Sequence, residues 1–149
     1  MKLRRTGRVY LAHNIRGPGG KAVSPATVRR NLKKARMVGR RLRERFPRWD
    51  LYVPAEGEAF VQMAIDRCFL SIKDVLELDQ DIIAGSDLLV LLSPLPRGKD
   101  PTPGLGAAKT EVEFATHLGI PVVYAHTDTD RSGLRISSNP AGETLIALA

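Results

Sequence analysis

One cysteine in 149 residues rules out an internal disulfide. Cys68 lies in an apolar stretch and reads as a core thiol. Aromatic side chains make up only 5% of the chain. They do not interleave with the basic residues as a base-stacking platform would require. No hydrophobic run approaches the roughly 20 residues that cross a bilayer. The basic start Met1-Lys2-Leu3-Arg4-Arg5 precedes an apolar stretch, Val9 to Ala12, too short for the core of a secretion signal. Neither a G-x-G-x-x-G fingerprint nor a P-loop is present, and no repeat or low-complexity tract is visible. A cytoplasmic protein folded as a single domain over 1–149 is the expectation, with no membrane contact.

Acid is also scarce, but only at one end. Residues 1–50 hold 16 Lys and Arg against 2 Asp and Glu, whereas 51–149 hold 7 against 14. Such asymmetry points the first part towards an anion. Nucleic acid and a phosphorylated small molecule both fit, and so does a solvated helix that keeps the chain soluble.

Hydrophobic residues make up 43% of the chain and are patterned. Arg8 to Ala12 reads as a first strand. Ser24-Pro25 reads as an N-cap followed by Pro at the first helical position. Val28, Leu32, Ala35, Val38, Leu42 and Phe46 then follow at helical spacing until Pro47. Leu51-Tyr52-Val53 is a second strand. Helices are expected over Glu58–Cys68 and Ile72–Ala84. Leu88 to Leu92 forms a continuous apolar run, as in a parallel strand buried on both faces. After a long Pro/Gly loop, a helix over Ala108–Leu118 ends at Gly119. Pro121 to Ala125 is another strand, 127–140 reads as loop, and Glu143–Leu148 as a short last element. Alternating strands and helices predict an open α/β sheet, with ligands outside the carboxyl ends of its strands.

Three stretches there carry chemistry. His13 to Lys21 sets Arg16 and Lys21 among glycines, which suits a phosphate or an ordinary flexible loop. Asp79 lies eight residues before Asp87, on a helix leading into the buried strand; it is a site carboxylate or a solvated one. Glu111 is expected in the first turn of its helix, on one side with Ala115 and Leu118. It either points along the packed face into a cleft or serves as ordinary capping chemistry.

Taken in order, these stretches resemble the nucleoside 2-deoxyribosyltransferase superfamily, especially its small nucleotide N-glycosidase branch. His13-Asn14-Ile15-Arg16-Gly17 stands where the family has a Gly-Ser-Ile-Arg-Gly-like turn after its first strand. Asp79 precedes Ser86-Asp87-Leu88-Leu89-Val90 as the family's second acid precedes its Ala-Asp-hydrophobic strand. Glu111, Ala115 and Gly119-Ile120-Pro121 keep the register of the catalytic Glu, the Ala four residues on and the Gly-Lys-Pro. The likeness covers roughly residues 8 to 125.

By that resemblance, Glu111 is the nucleophile that displaces the base from a (deoxy)ribose, and Asp79 holds the sugar or handles the leaving-group proton. Ile15, Arg16 and Gly17 line the base and phosphate ends of the pocket. Asn14, Asp87, Arg97 and Gly106 complete the expected substrate-binding set. No metal or redox cofactor is implied. The expected fold is a doubly wound, mostly parallel flavodoxin-like or Rossmann-like sheet with helices on both faces. The expected partners are a nucleoside or nucleotide substrate and further copies of the chain. The alternative is a non-catalytic nucleotide-sensing or nucleic-acid-binding module that uses the basic part.

Departures from the family pattern are Leu105 in place of Asp or Ser, Glu113 in place of Gly, and a longer 93–103 loop carrying Arg97, Lys99 and Asp100. Glu113 lies two residues beyond Glu111, about 200° around a helix, so only one of them can face a cleft.

Overall fold

The computed structural model describes residues 3–15, 23–93, 107–127 and 133–138. Five strands and four helices appear among them. They run β1 (Gly7–Ala12), α1 (Pro25–Arg45), β2 (Trp49–Tyr52), a 3-10 turn at Pro54–Glu56, α2 (Glu58–Asp66), α3 (Ile72–Ala84), β3 (Leu88–Leu92), α4 (Ala107–His117), β4 (Val122–Thr127) and β5 (Leu134–Ser137). The strands form one sheet in the order β2-β1-β3-β4-β5. The first four are mutually parallel, and β5 runs antiparallel to β4. The fold is therefore α/β with a mostly parallel, Rossmann-like sheet. The chain leaves β1 for β2 on one side and returns past it to β3 on the other. In such sheets a crevice opens where the strand order reverses, here between β1 and β3.

Alternate strand residues feed two apolar clusters, as the period of two requires. Val9, Leu11, Leu88, Val90, Leu92, Val123 and Ala125 pack with Leu32, Ala35, Val38 and Leu42 of α1. Tyr10, Ala12, Leu89 and Leu91 pack instead with Ile83 of α3 and with Ala108 and Ala115 of α4. Each large aliphatic residue so buried contributes roughly 1.5–3 kcal/mol.

The caps set the helix boundaries. Ser24 Oγ accepts the Thr27 N–H at 3.2 Å, with Pro25 at the helix start. Ser71 and Asp74 form a reciprocal capping box on α3. Gly119, at φ 75°, stops α4 in the left-handed region. Gly39 lets α1 approach the end of β2, because a Cβ there would meet Val53 Cγ2 at 2.9 Å.

Several sequence expectations need correction. Helix α2 ends at Asp66, two residues early, and none of its residues is buried. Cys68 is exposed, not a core thiol, and its φ of 62° turns the chain from α2 towards α3. Strand β2 begins at Trp49, whose indole donates to Arg4 O at 2.8 Å and whose ring stacks on Phe46. Strand β4 runs on through His126 and Thr127, and β5 forms inside the stretch expected to be loop. The element expected at 143–148 lies outside the described residues.

Candidate active site

The second cluster is apolar except where Tyr10 enters it. Tyr10 pairs with Tyr52 across β1 and β2, and their rings lie 5.5 Å apart at 31°. Its side chain is fully buried, so its hydroxyl must find a partner inside the protein. That partner is Glu111: the Tyr10 hydroxyl donates to Glu111 Oε2.

Glu111 is brought there by helical phase. Ala115, one turn on, is buried in the same cluster as Tyr10. Contrary to expectation, Glu111 is the fifth residue of α4, whose first turn contains no acid. It is therefore not a capping residue. Leu118, expected on the packed side, is exposed, because α4 has already ended at His117. Glu113 points away and pairs with Lys109 Nζ at 3.7 Å on the surface. Of the two glutamates, only Glu111 faces inward.

Asp79 approaches from α3, which packs against α4. Ile83, four residues on, is fully buried in the same cluster, so Asp79 lies on the inward side of its helix. Glu58, the first residue of α2, is near enough for its charge to act on Asp79. The site is thus two tyrosines and three carboxylates gathered from β1, β2, α2, α3 and α4.

Crowding and burial hold protons here. Burial, reinforced by the negative charge of Asp79, pushes the Glu111 carboxyl up to about 7 against the opposing hydrogen bond from Tyr10. Burial, and then Glu58, raises the Asp79 carboxyl to about 6. Burial followed by the Glu111 and Asp79 charges drives the Tyr10 hydroxyl far above its ordinary range. Tyr52 is raised by burial and by Asp79 and Glu111. The tyrosines therefore stay neutral donors, while two acids titrate near neutrality. That combination can deliver one carboxylate and one proton to a bound molecule at the same pH.

The end of β1 is held rather than open. His13 is buried, and its Nε2 accepts the Ala55 N–H at 3.1 Å. Its Nδ1 lies 3.3 Å from Asn14 O, which makes Nδ1 the protonated nitrogen. Asn31 Nδ2 donates to Ile15 O at 2.8 Å, and the Ile15 side chain packs on the first cluster. Asn14 is half-buried beside them.

Asp87 is not brought to the site. It precedes β3, where its Oδ2 accepts the Arg8 N–H at 2.9 Å and its Oδ1 lies 3.5 Å from Arg4. Gly7, at φ 128°, makes room for it, since a Cβ there would meet Asp87 Oδ2 at 2.7 Å. Asp87 ties two strand starts together. Arg16, Gly17, Lys21, Arg97, Lys99, Asp100, Leu105 and Gly106 lie outside the described residues.

Sequence reasoning missed Tyr10, Tyr52 and Glu58. Only Tyr10 left a trace, a hydroxyl-bearing residue in an otherwise aliphatic strand. A recess of about 400 Å³ lined by Arg41, Glu44, Arg45 and Leu134 contains none of these residues.

No family model, curated protein or solved structure matches the chain. No helix among the described residues is long and apolar enough to cross a membrane.

Proposed function

We propose that this site cleaves or exchanges the N-glycosidic bond of a nucleoside or nucleoside 5′-monophosphate. The observation that carries the reading is the half-buried Glu111 carboxyl, held by the Tyr10 hydroxyl with Asp79 nearby. It agrees with the resemblance to the nucleoside 2-deoxyribosyltransferase superfamily. In this reading a Glu111 oxygen attacks the anomeric carbon, and the bond from that carbon to the base breaks. The reacting form is the one in which the pair's single proton has passed from Glu111 to Asp79. The bonding electrons leave with the base, which takes that proton from the Asp79 carboxyl. Water or a second base, giving a proton to the Asp79 carboxylate, then displaces Glu111 from the sugar. A positioned carboxylate also suits the positive charge that develops on the sugar in such reactions. We read the two apolar clusters as the two faces of a doubly wound, flavodoxin-like sheet in a cytoplasmic enzyme.

The test is incubation with a panel of nucleosides and 5′-monophosphates, with and without an acceptor base, followed by chromatography. Free or exchanged base is expected from at least one member. Glu111→Gln is expected to lose the activity by several orders of magnitude while melting normally, and Glu113→Gln to keep most of it. Silence across the panel, or an active Glu111→Gln, overturns the reading. A phosphate held by Arg16, Lys21, Arg97 or Lys99 contributes roughly 1.5–3 kcal/mol. Monophosphates are then favoured about tenfold or more, and Arg16→Ala removes the preference.

A second copy of the chain is the proposed partner of α2 and α3. Phe60 and Phe69 are 76% and 79% exposed, and Met63, Ile72, Leu76 and Leu78 join them on the surface. An aromatic side chain buries about 150–250 Å², and a stable interface needs about 800 Å² per partner. Leu78 lies about 200° around α3 from Leu76, so the proposed face is formed by Phe60, Met63, Phe69, Ile72 and Leu76. Light scattering is expected to show a dimer or larger assembly at micromolar concentration; a monomer there removes this partner.

A further inference from the structure

Helix α1 carries nine Lys and Arg against one Glu. The structure accounts for four of the nine. Arg43 grips both Glu56 oxygens, at 2.5 and 2.6 Å, and also donates to Leu51 O. Arg36 Nε donates to Ala55 O at 3.0 Å, and Arg45 Nη1 to Leu134 O at 2.8 Å. Arg30 Nη2 reaches Thr27 Oγ1 at 3.4 Å. Arg29, Lys33, Lys34, Arg40 and Arg41 have neither an ion pair nor a hydrogen bond among the described residues.

Arg29, Lys33, Arg36 and Arg40 follow at steps of four, three and four, the spacing of one helix face. That row of cations is about 16 Å long at 1.5 Å per residue. Within it, Arg29 with Lys33 and Arg36 with Arg40 are like-charge neighbours one turn apart, an unfavourable arrangement. The first turn of α1 holds no acid to complement the helix dipole. The same chain pairs opposite signs elsewhere, Lys73 with Glu77 on α3 and Lys109 with Glu113 on α4. Solubility alone is met by mixed signs, so a row of one sign needs another cause.

We propose that the outer face of α1 binds the phosphate backbone of nucleic acid without reading its base sequence. A row suits a polymer of repeating charge better than a single small anion, which needs donors converging on a point. Each strand of duplex DNA presents about one charge per 3.4 Å of axis along such a row. Base readout lacks its usual instruments. The aromatic residues just past this helix, Phe46 and Trp49, are buried and stacked on each other, and the Asn31 amide is engaged with Ile15 O. A membrane surface is disfavoured because the apolar side of α1, Leu32, Ala35, Val38 and Leu42, is buried in the first cluster. Glu111 and Asp79 belong with the second cluster, so the proposal stands or falls apart from the glycosidic reading.

The test is fluorescence anisotropy with two labelled 20-base-pair duplexes of unrelated sequence. Both are expected to bind equally at 50 mM salt. With about four phosphate contacts, affinity is expected to fall about 100-fold by 200 mM salt. The triple variant Arg29→Gln/Lys33→Gln/Arg40→Gln is expected to lose most binding and most of the salt dependence. Arg5→Gln/Arg48→Gln/Arg67→Gln removes the same charge elsewhere and is expected to bind like the parent. Melting curves of both triples report folding. Should the α1 triple fail to fold, Lys33→Gln alone is expected to lower the salt slope by about one. Absence of binding at 50 mM salt, parental binding by the α1 variants, or equal loss in the control triple overturns the proposal. So does tighter binding to phosphatidylserine vesicles than to DNA.

Discussion

On α3, Lys73 Nζ lies 3.8 Å from Glu77, and the helix opens with a capping box. On α1, Arg29, Lys33, Arg36 and Arg40 succeed one another, with Glu44 only a turn beyond Arg40 and Glu56 within reach of the Arg36 charge. The residues around Asp79 show a third arrangement, in which like charges are crowded and partly buried. Like charges crowd together in both α1 and the site, but the cost takes different forms. Exposed cations repel through water and salt, which screen them. Buried carboxyls cannot be screened, so they take up protons instead. The acidic pocket therefore changes its charge near neutrality, which suits moving a proton.

The largest expected effect lies in the pocket. Asp79→Asn is expected to lower base release by about 10²–10⁴, the usual worth of a positioned acid or base. It also removes the negative neighbour that helps raise Glu111. The parent is expected to show a bell-shaped rate profile with limbs near 6 and 7, owned by the pair. In Asp79→Asn the acidic limb moves down and the alkaline limb disappears. A profile of unchanged shape would show that Asp79 takes no part in proton transfer.

Next comes stability. The Glu111 carboxyl is raised to about 7 in the folded protein, so folding takes up a proton between its ordinary value and 7. Stability therefore falls as pH rises through that window, and the full cost is present above 7. Glu111→Gln removes the cost and still accepts the Tyr10 hydroxyl. Denaturant melts are expected to show a gain of roughly 1–3 kcal/mol at pH 8 that fades towards pH 5. A gain independent of pH would place its origin outside the carboxyl.

His13 runs the other way. Burial lowers its pKa against the opposing bond to Asn14 O, so the folded form is neutral. Its contribution is complete above the ordinary value near 6.5 and is lost as pH falls below it. His13→Leu strands the Ala55 N–H, which His13 otherwise caps in the interior. The expected cost is about 1–3 kcal/mol at pH 8, with a weaker acid-side loss than in the parent. If the variant loses stability on acidification as steeply as the parent, His13 is not the group that titrates.

What was legible in the sequence follows from the range of each interaction. The apolar side of α1 was readable because six residues repeat it at helical spacing, and all but half-buried Val28 are buried. The β3 run was readable because every one of its residues is buried. Strand β5 was not, since four residues on a sheet edge carry too short a pattern to stand out from loop. Asp79 and Glu111 were placed through the resemblance, and Ile83 and Ala115 one turn on gave their inward phase a physical basis. Tyr10 meets Glu111 across 101 positions of sequence, so no local signal joins them. Asp87 bonds Arg8 and Arg4 rather than the Tyr10–Glu111 pair, and its motif position says nothing of which strand end it occupies. Likewise, the α1 arginines that bond backbone carbonyls look no different, as letters, from those that do not.

The smallest expected effect tests the contrast between α1 and α3 most directly. Lys33→Gln and Lys73→Gln make the same change on two exposed helix faces. Gln and Lys have similar helix propensity, so the intrinsic term nearly cancels. Lys73 loses an oppositely charged neighbour one turn away, Glu77. Lys33 loses like-charge neighbours, Arg29 a turn before it and Arg36 three residues after. Pairs of this kind are worth about 0.2–0.5 kcal/mol, with opposite signs for opposite and like charges. At low salt, urea melts should therefore show Lys73→Gln slightly destabilised and Lys33→Gln slightly stabilised. Both differences should shrink in 1 M salt, where charges a turn apart are screened. If Lys33→Gln is destabilised as much as Lys73→Gln, the α1 cations support one another through acids within the chain. Their repulsion would then no longer argue for an external polyanion.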